Sequence, residues 1–250
     1  DIPEDADIAF RDVVFQYDGP HSPKVLDDVS LTIPSGKVTA IVGASGSGKT
    51  TMLKMMLGFY PPVSGEVLLG NVPLKNYSES RWRARCGTVM QEGYIFSDTI
   101  AANIAVSEEY PNMDRVRWAA GISNIKSWIE GLPLGYGTKI GADGHGLSSG
   151  QKQRILIARA AYKDAQYLFF DEATNSLDAN NERTIMENLD WLFADKTVVV
   201  VAHRLSTVKN ADNIIVLDKG RIAEQGTHLQ LTVLRGKYYE LVKNQLELGG

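Results

Sequence analysis

The run Gly43-Ala44-Ser45-Gly46-Ser47-Gly48-Lys49-Thr50 places glycines first and sixth in eight residues and closes on Lys-Thr. Glycines let successive backbone N–H groups turn into one concavity. The helix that follows the loop adds its positive amino end, so a polyphosphate is held with little side-chain charge. In that chemistry Lys49 reaches the outer phosphates and the Thr50 hydroxyl serves a magnesium ion. Tyr167-Leu168-Phe169-Phe170-Asp171-Glu172 is an apolar run ending in adjacent carboxylates, which a buried strand tolerates only at its tip. Their expected roles differ: Asp171 holds the magnesium shell, and Glu172 orients or deprotonates the water that attacks the terminal phosphate. A third run, Thr197 to Ala202, ends in His203, a candidate contact to the same phosphate. His21, His145 and His228 read as ordinary histidines. Leu147-Ser148-Ser149-Gly150-Gln151 precedes an apolar-periodic helix, Lys152 to Ala161; its hydroxyls and backbone could hold an anion or cap their own helix, the commoner outcome.

The elements that must position these residues are legible as alternating runs. Ile8 to Tyr17 and Val25 to Ile33 read as paired antiparallel strands around Gly19-Pro20. Val38 to Val42 reads as a strand and Thr50 to Leu57 as a buried helix. Tyr167 to Phe170, Thr197 to Ala202 and Asn213 to Leu217 are continuously apolar, as strands buried on both faces of a parallel sheet should be, with helical stretches such as Ala179 to Phe193 between them. That is an α/β pattern whose ligands sit at the carboxyl ends of the strands. Ile100 to Ile104, Asp114 to Ile122 and Asn124 to Glu130 read as helices. The expected organisation is one domain over 1–250, with a core lobe of about 8–89 and 163–250 and an inserted helical lobe of about 90–162.

Composition narrows the function. The chain has 250 residues, 44% of them hydrophobic, and a formal charge of −4, which gives no field to attract nucleic acid. Nucleic acid is therefore not an expected partner. Cys86, the single cysteine, can form no internal disulfide and reads as a small half-buried thiol. No stretch approaches the ~20 apolar residues of a membrane span. The acidic start, Asp1 to Asp7, has neither the basic nor the apolar part of a secretion signal and reads as a linker or a cut made upstream of a domain.

With these motifs in this order, the sequence resembles the nucleotide-binding domain of an ATP-binding cassette (ABC) transporter over nearly its whole length. Leu147 to Gln151 resembles that family's signature and makes the likeness specific. The resemblance implies a P-loop nucleoside-triphosphatase fold: a RecA-like, mostly parallel sheet core, an N-terminal antiparallel β subdomain and an inserted helical subdomain. It implies that Tyr17 stacks on adenine and that Gly43, Ala44, Ser45, Gly46, Ser47, Gly48, Lys49, Thr50 and Thr51 hold ATP. Ser148, Gly150, Gln151 and Asp178 would complete the nucleotide site. Thr50, Gln91 and Asp171 would serve Mg²⁺, and Lys49, Gln91, Glu172 and His203 would take part in hydrolysis. Ser176-Leu177-Asp178 is similar to the loop communicating between two ATP sites, and Gln91 to the residue that senses magnesium and the membrane partner.

Phe96-Ser97-Asp98-Thr99-Ile100 with Asn103-Ile104, Ala202 to Val208, and Gln225-Gly226-Thr227-His228 resemble exporters, in particular bacterial peptide, bacteriocin and type I secretion systems. The implied partners are a transmembrane domain fused upstream and a second nucleotide-binding domain. The implied place is the cytoplasmic face of the inner membrane. Two positions depart from the pattern: Ser149 stands where the signature usually has glycine, and Ala142 where a coupling segment usually has glutamate. The rival readings are a soluble cassette acting on ribosomes, DNA or iron–sulfur assembly, and a degenerate cassette that binds ATP without turnover. The first usually carries two cassettes, a coiled-coil insertion or cysteine ligands; Glu172 and His203 argue against the second.

Replacing Glu172 by Gln should leave Mg-ATP binding near normal and lower turnover about 10²- to 10⁴-fold, the usual loss of a general base or water-orienting group. Steady-state phosphate release checks this, and a rate near wild type would remove Glu172 from the chemistry.

Overall fold

A computed structural model describes residues 1–106, 108–171, 177–202 and 204–248, with side chains described through Asn244. The chain divides into two units. Asp1–Cys86, Gln166–Asp171 and the chain from Asp195 onward form the first; Gly87–Ala165 and the helix Ala179–Phe193 belong to the second.

The first unit opens with β1 (Ile8–Phe15) and β2 (Leu26–Ile33), which pair antiparallel with Ile8 opposite Ile33 and Phe15 opposite Leu26. In β2 the polar residues Asp28, Ser30 and Thr32 are exposed while Leu26, Val29, Leu31 and Ile33 are buried, the pattern of a sheet with one wet face. Then come β3 (Val38–Gly43), α1 (Lys49–Met56), β4 (Ser64–Leu69), β5 (Val72–Pro73) and α2 (Glu79–Ala84). The antiparallel sheet runs β2-β1-β4-β5.

The second unit takes the chain through β6 (Cys86–Val89), β7 (Asp98–Thr99), α3 (Ile100–Ile104), α4 (Met113–Ile122), α5 (Lys126–Glu130), β8 (Lys139–Ile140) and α6 (Ser149–Lys163). Its core is made by α3, α4 and α6, with Ile104, Val116, Ala119 and Ile155 all buried. The chain returns to the first unit for β9 (Tyr167–Asp171), and α7 (Ala179–Phe193) packs on α4 in the second. The first unit is completed by β10 (Thr197–Val201), α8 (Leu205–Val208), β11 (Asn213–Asp218), β12 (Arg221–Gly226), α9 (His228–Leu234) and α10 (Lys237–Leu248).

In the first unit the main sheet is ordered β12-β11-β3-β10-β9. β11, β3, β10 and β9 are parallel and β12 is antiparallel. Every residue of β9 and β10 is buried, which is why both read as unbroken apolar runs. Register brings their carboxyl ends level: Val201 lies opposite both Ile41 and Asp171, and Gly43 lies opposite Leu217. The expected α/β architecture is therefore present.

Two details of the sequence reading change. Cys86 is fully rather than half buried, at 3% exposure, because it begins a strand. The acidic start is packed: the Tyr167 hydroxyl donates to the Pro3 carbonyl at 3.1 Å and accepts from the Ala6 amide at 3.2 Å. Among the described residues no helix is long and apolar enough to cross a membrane.

Trp82 anchors this packing, donating its indole N–H to the Met56 carbonyl at 2.9 Å with its ring 4.8 Å from that of Tyr167. Trp82→Ala should therefore cost about 3–5 kcal/mol of stability. Trp191→Ala, at a 70% exposed tryptophan, should stay within about 0.5 kcal/mol. Denaturant midpoints at unchanged slope check the pair.

Candidate functional site

The phosphate-loop reading rests on close backbone approach. A Cβ on Gly43 would lie 2.4 Å from the Leu217 carbonyl oxygen and 2.7 Å from Ser47 Oγ. Gly48 takes φ +104, and a Cβ there would meet Leu26 Cδ2 at 2.8 Å. Neither position admits a side chain, so the loop can fold tightly between β3 and α1. The Ser47 amide donates to the Ala44 carbonyl at 3.1 Å, and the Gly220 amide to the Ser47 carbonyl at 3.1 Å. Gly46 at the tip has open space around it.

The groups inside this loop suit an anion. α1 begins at Gly48 with no side-chain cap, leaving the N–H groups of its first turn to a ligand. Lys49 is 6% exposed, and its ammonium donates to the carbonyls of Gly43 at 2.7 Å and Ala44 at 2.9 Å. The Ser47 hydroxyl is buried with no hydrogen-bond partner among the described residues, a cost that a bound oxyanion would remove. Beside them the Thr50 hydroxyl donates to Asp171 Oδ2 at 2.9 Å, and Asp171 is 2% exposed at the tip of β9. The structure thus brings Gly43 to Thr50 and Asp171 together in one unit.

Tyr17 joins them through Thr51, with which it shares a hydroxyl–hydroxyl hydrogen bond of 2.6 Å. Its ring stands nearly perpendicular to Phe15 and to Tyr60, at centroid distances of 4.9 and 5.4 Å. It nevertheless remains 50% exposed, so aromatic surface is left for a flat ligand. Tyr60 escaped the sequence reading; an aromatic just beyond the end of α1 was its only signal.

Five further residues, Gln91, Ser148, Gly150, Gln151 and Asp178, lie in the second unit. Gln91 is exposed. Ser148 caps α6 in a reciprocal box, its hydroxyl accepting from the Gln151 amide at 3.1 Å while its own amide donates to Gln151 Oε1 at 3.0 Å. Of the two outcomes open from sequence, self-capping is the one observed; Gly150 lies within the same first turn. Asp178 caps α7, accepting from the amides of Asn180 and Asn181. Those bonds, the Asn181 amide first, hold its carboxyl below the usual range and keep it ionised. Glu172, Ser176 and His203 lie outside the described residues.

Known proteins resemble the chain in sequence and fold. Residues 26–175 match the protein-family model described as ABC transporter. The chain belongs to the ABC transporter family. It is 45% identical over 96% of its length to the "Toxin RTX-III translocation ATP-binding protein" of Actinobacillus pleuropneumoniae, covering 34% of that protein. It is 43% identical over 96% of its length to an "ATP-dependent lipid A-core flippase" of Mannheimia succiniciproducens, covering 41% of it. Among solved structures, a bacterial Atm1-family ABC exporter with ATP bound superposes with a TM-score of 0.92 and 38% identity over 97% of this chain and 42% of that one. The chain thus spans roughly a third to two fifths of these relatives. Fold and family together make it an ABC transporter domain, as the motifs implied.

Tyr17→Ala should weaken ATP binding by about 1–3 kcal/mol, the scale of base stacking on an aromatic, whereas Tyr17→Phe and Tyr17→Trp should keep most of it. Titration with ATP and with inorganic triphosphate checks this: an equal loss for both would make Tyr17 structural only.

Proposed function

We propose that this ABC domain closes face to face with a second nucleotide-binding domain around two ATP molecules, and that hydrolysis reopens the pair and drives membrane helices to export a substrate. The observation that carries the reading is the Thr50–Asp171 pair, set beside Lys49 at the uncapped start of α1. Among the described residues no three His, Cys, Asp or Glu side chains gather to hold a metal. The two oxygens of Thr50 and Asp171 fit magnesium, which takes most of its ligands from phosphates and water. When bound there it would neutralise phosphate charge, with Gln91 completing its shell.

In this reading Lys49 balances the outer phosphates, Glu172 takes the proton of the attacking water and His203 holds the terminal phosphate. Tyr17 stacks on the base. Ser148, Gly150, Gln151 and Asp178 approach the nucleotide bound by the opposite copy. The Ser148 box is compatible with this, since the hydroxyl accepts from the Gln151 amide and keeps its own O–H to donate to a phosphate oxygen, beside the N–H groups of the first turn of α6.

The partner in this reading is a transmembrane part, with the domain working at the cytoplasmic face of the membrane; the greater length of the relatives supports it. An open groove of mixed polarity in the first unit, lined by Phe59, Pro61 and Val63 together with Glu66, Lys75 and Glu79, offers a surface for that partner.

A divided site can be tested with two inactive variants. Lys49→Ala spoils the phosphate loop and Ser148→Arg spoils the α6 amino end, so each alone should be nearly inactive. In a mixed dimer the intact loop of one faces the intact α6 end of the other, and one whole site returns. Mixing at concentrations high enough for association should therefore restore ATPase activity. A mixture no more active than the sum of its parts, with mixed dimers shown by crosslinking, would mean that each site is completed within one chain.

A further inference from the structure

The amino ends of α6 and α7 carry Ser148 and Asp178, separated by thirty positions of chain, yet a continuous run of hydrogen bonds joins them. Arg154 Nε donates to the Gly150 carbonyl at 3.4 Å, and its Nη1 donates to the Asn124 carbonyl at 2.9 Å. Asn124 Nδ2 donates to Asn181 Oδ1 at 2.9 Å. Asn181 Nδ2 donates to Asp178 Oδ2 at 2.6 Å, while its backbone amide donates to Asp178 Oδ1 at 2.9 Å.

The direction of this run is forced from both ends. Asp178, ionised, can only accept, so Asn181 must turn its Nδ2 toward it and its Oδ1 toward Asn124. Arg154 can only donate, so it must find carbonyls, and it finds one on each side. Asn124 is the joint: it accepts through its main chain and donates through its side chain. It sits in the turn between α4 and α5 with φ +56, a conformation that asparagine tolerates better than most residues. The same turn is tied to α7 a second time, by Asn188 Nδ2 donating to the Ile122 carbonyl at 3.1 Å. None of Asn124, Arg154 and Asn181 belongs to the nucleotide-binding residues assigned above.

We propose that Arg154, Asn124 and Asn181 are positioning residues that fix the spacing between the α6 amino end and Asp178, so that both meet a nucleotide held by the opposite copy as one rigid edge. This rests on the divided-site reading. Arg154, partly desolvated, gives its hydrogen bonds to two carbonyls, while the Asp178 carboxylate attracts it through space, so charge as well as hydrogen bonding ties the two helix ends together.

The test uses Asn124→Gly, because glycine adopts positive φ freely and the substitution removes the side-chain link without straining the turn. It is added to one or other member of the complementing pair. In the Lys49→Ala chain, which supplies the live α6 end and Asp178, it should lower the rescued turnover about two- to tenfold, the effect of losing one net hydrogen bond. In the Ser148→Arg chain, which supplies only the phosphate loop, the same substitution should leave the rescue at its starting level. Mixed dimers are quantified by crosslinking in each case. Equal losses in both placements would show a general structural role, and no loss in either would show that the link positions nothing; either result overturns the proposal. Absence of rescue in the unsubstituted mixture would instead remove the divided-site reading, and this inference with it.

Discussion

A buried carboxylate at the end of a buried strand is the constraint on which the first unit turns. Asp171 is 2% exposed, and such a group is tolerated only where polar partners meet it. The Thr50 hydroxyl is one, reaching it from the first turn of α1 at 2.9 Å. That bond fixes where α1 begins relative to β9, and so fixes the span that the loop from Gly43 to Gly48 must close. It also fixes register. Asp171, Val201 and Ile41 lie level across three parallel strands, and a slip of one residue would turn the carboxylate to the opposite face of the sheet, away from Thr50. The unbroken apolar sequences of β9 and β10 and the glycines of the loop are consequences of the same placement.

Three helices then use their amino ends in different ways. α1 has no side-chain cap and a buried lysine in its first turn, so its N–H groups and positive end are available to an anion. α6 closes its own end with a reciprocal Ser148–Gln151 box, and α7 closes its end with an aspartate. The carboxylate of Asp178 complements the α7 dipole and repels an anion, whereas the α6 box is neutral. Of these two ends only that of α6 is electrostatically suited to approach a phosphate; Asp178 can meet the nucleotide only at a hydrogen-bond donor such as a ribose hydroxyl, or at a donor of the protein that holds it.

Sequence legibility followed how local each signal was. Gly43 to Thr50 and Asp171 announced themselves by residue type at a run's end, Tyr17 only by its place in the family pattern, and the parallel strands by length and apolar continuity. β4 begins Ser-Gly-Glu and α2 is six residues with one buried side chain, so neither had a periodic pattern to read. α10 lies outside the motif-bearing stretches, and β12 and α9 were touched only by Gln225 to His228, which carried a family likeness and not a periodic pattern. The grouping of α7 with α4 depends on contacts between segments far apart in sequence. Asn124, Arg154 and Asn181 were invisible for the same reason: Asn124 lies 30 positions from Arg154 and 57 from Asn181, and asparagines in turns and at helix starts are common.

The two departures from the family pattern can be weighed on the same physics. Ser149 is exposed and is the first helical residue of α6, just after the Ser148 cap. The box forms with that side chain present, and serine has the better helix propensity, so replacing glycine there restricts the unfolded chain more than it strains the folded one. The substitution therefore stiffens the α6 amino end without blocking it. Ala142 is also exposed, in the turn after β8, and its methyl group can neither accept nor donate. A partner that reads a carboxylate at this turn must take it from Asp143, one residue on and likewise exposed, which displaces the charge rather than abolishing it.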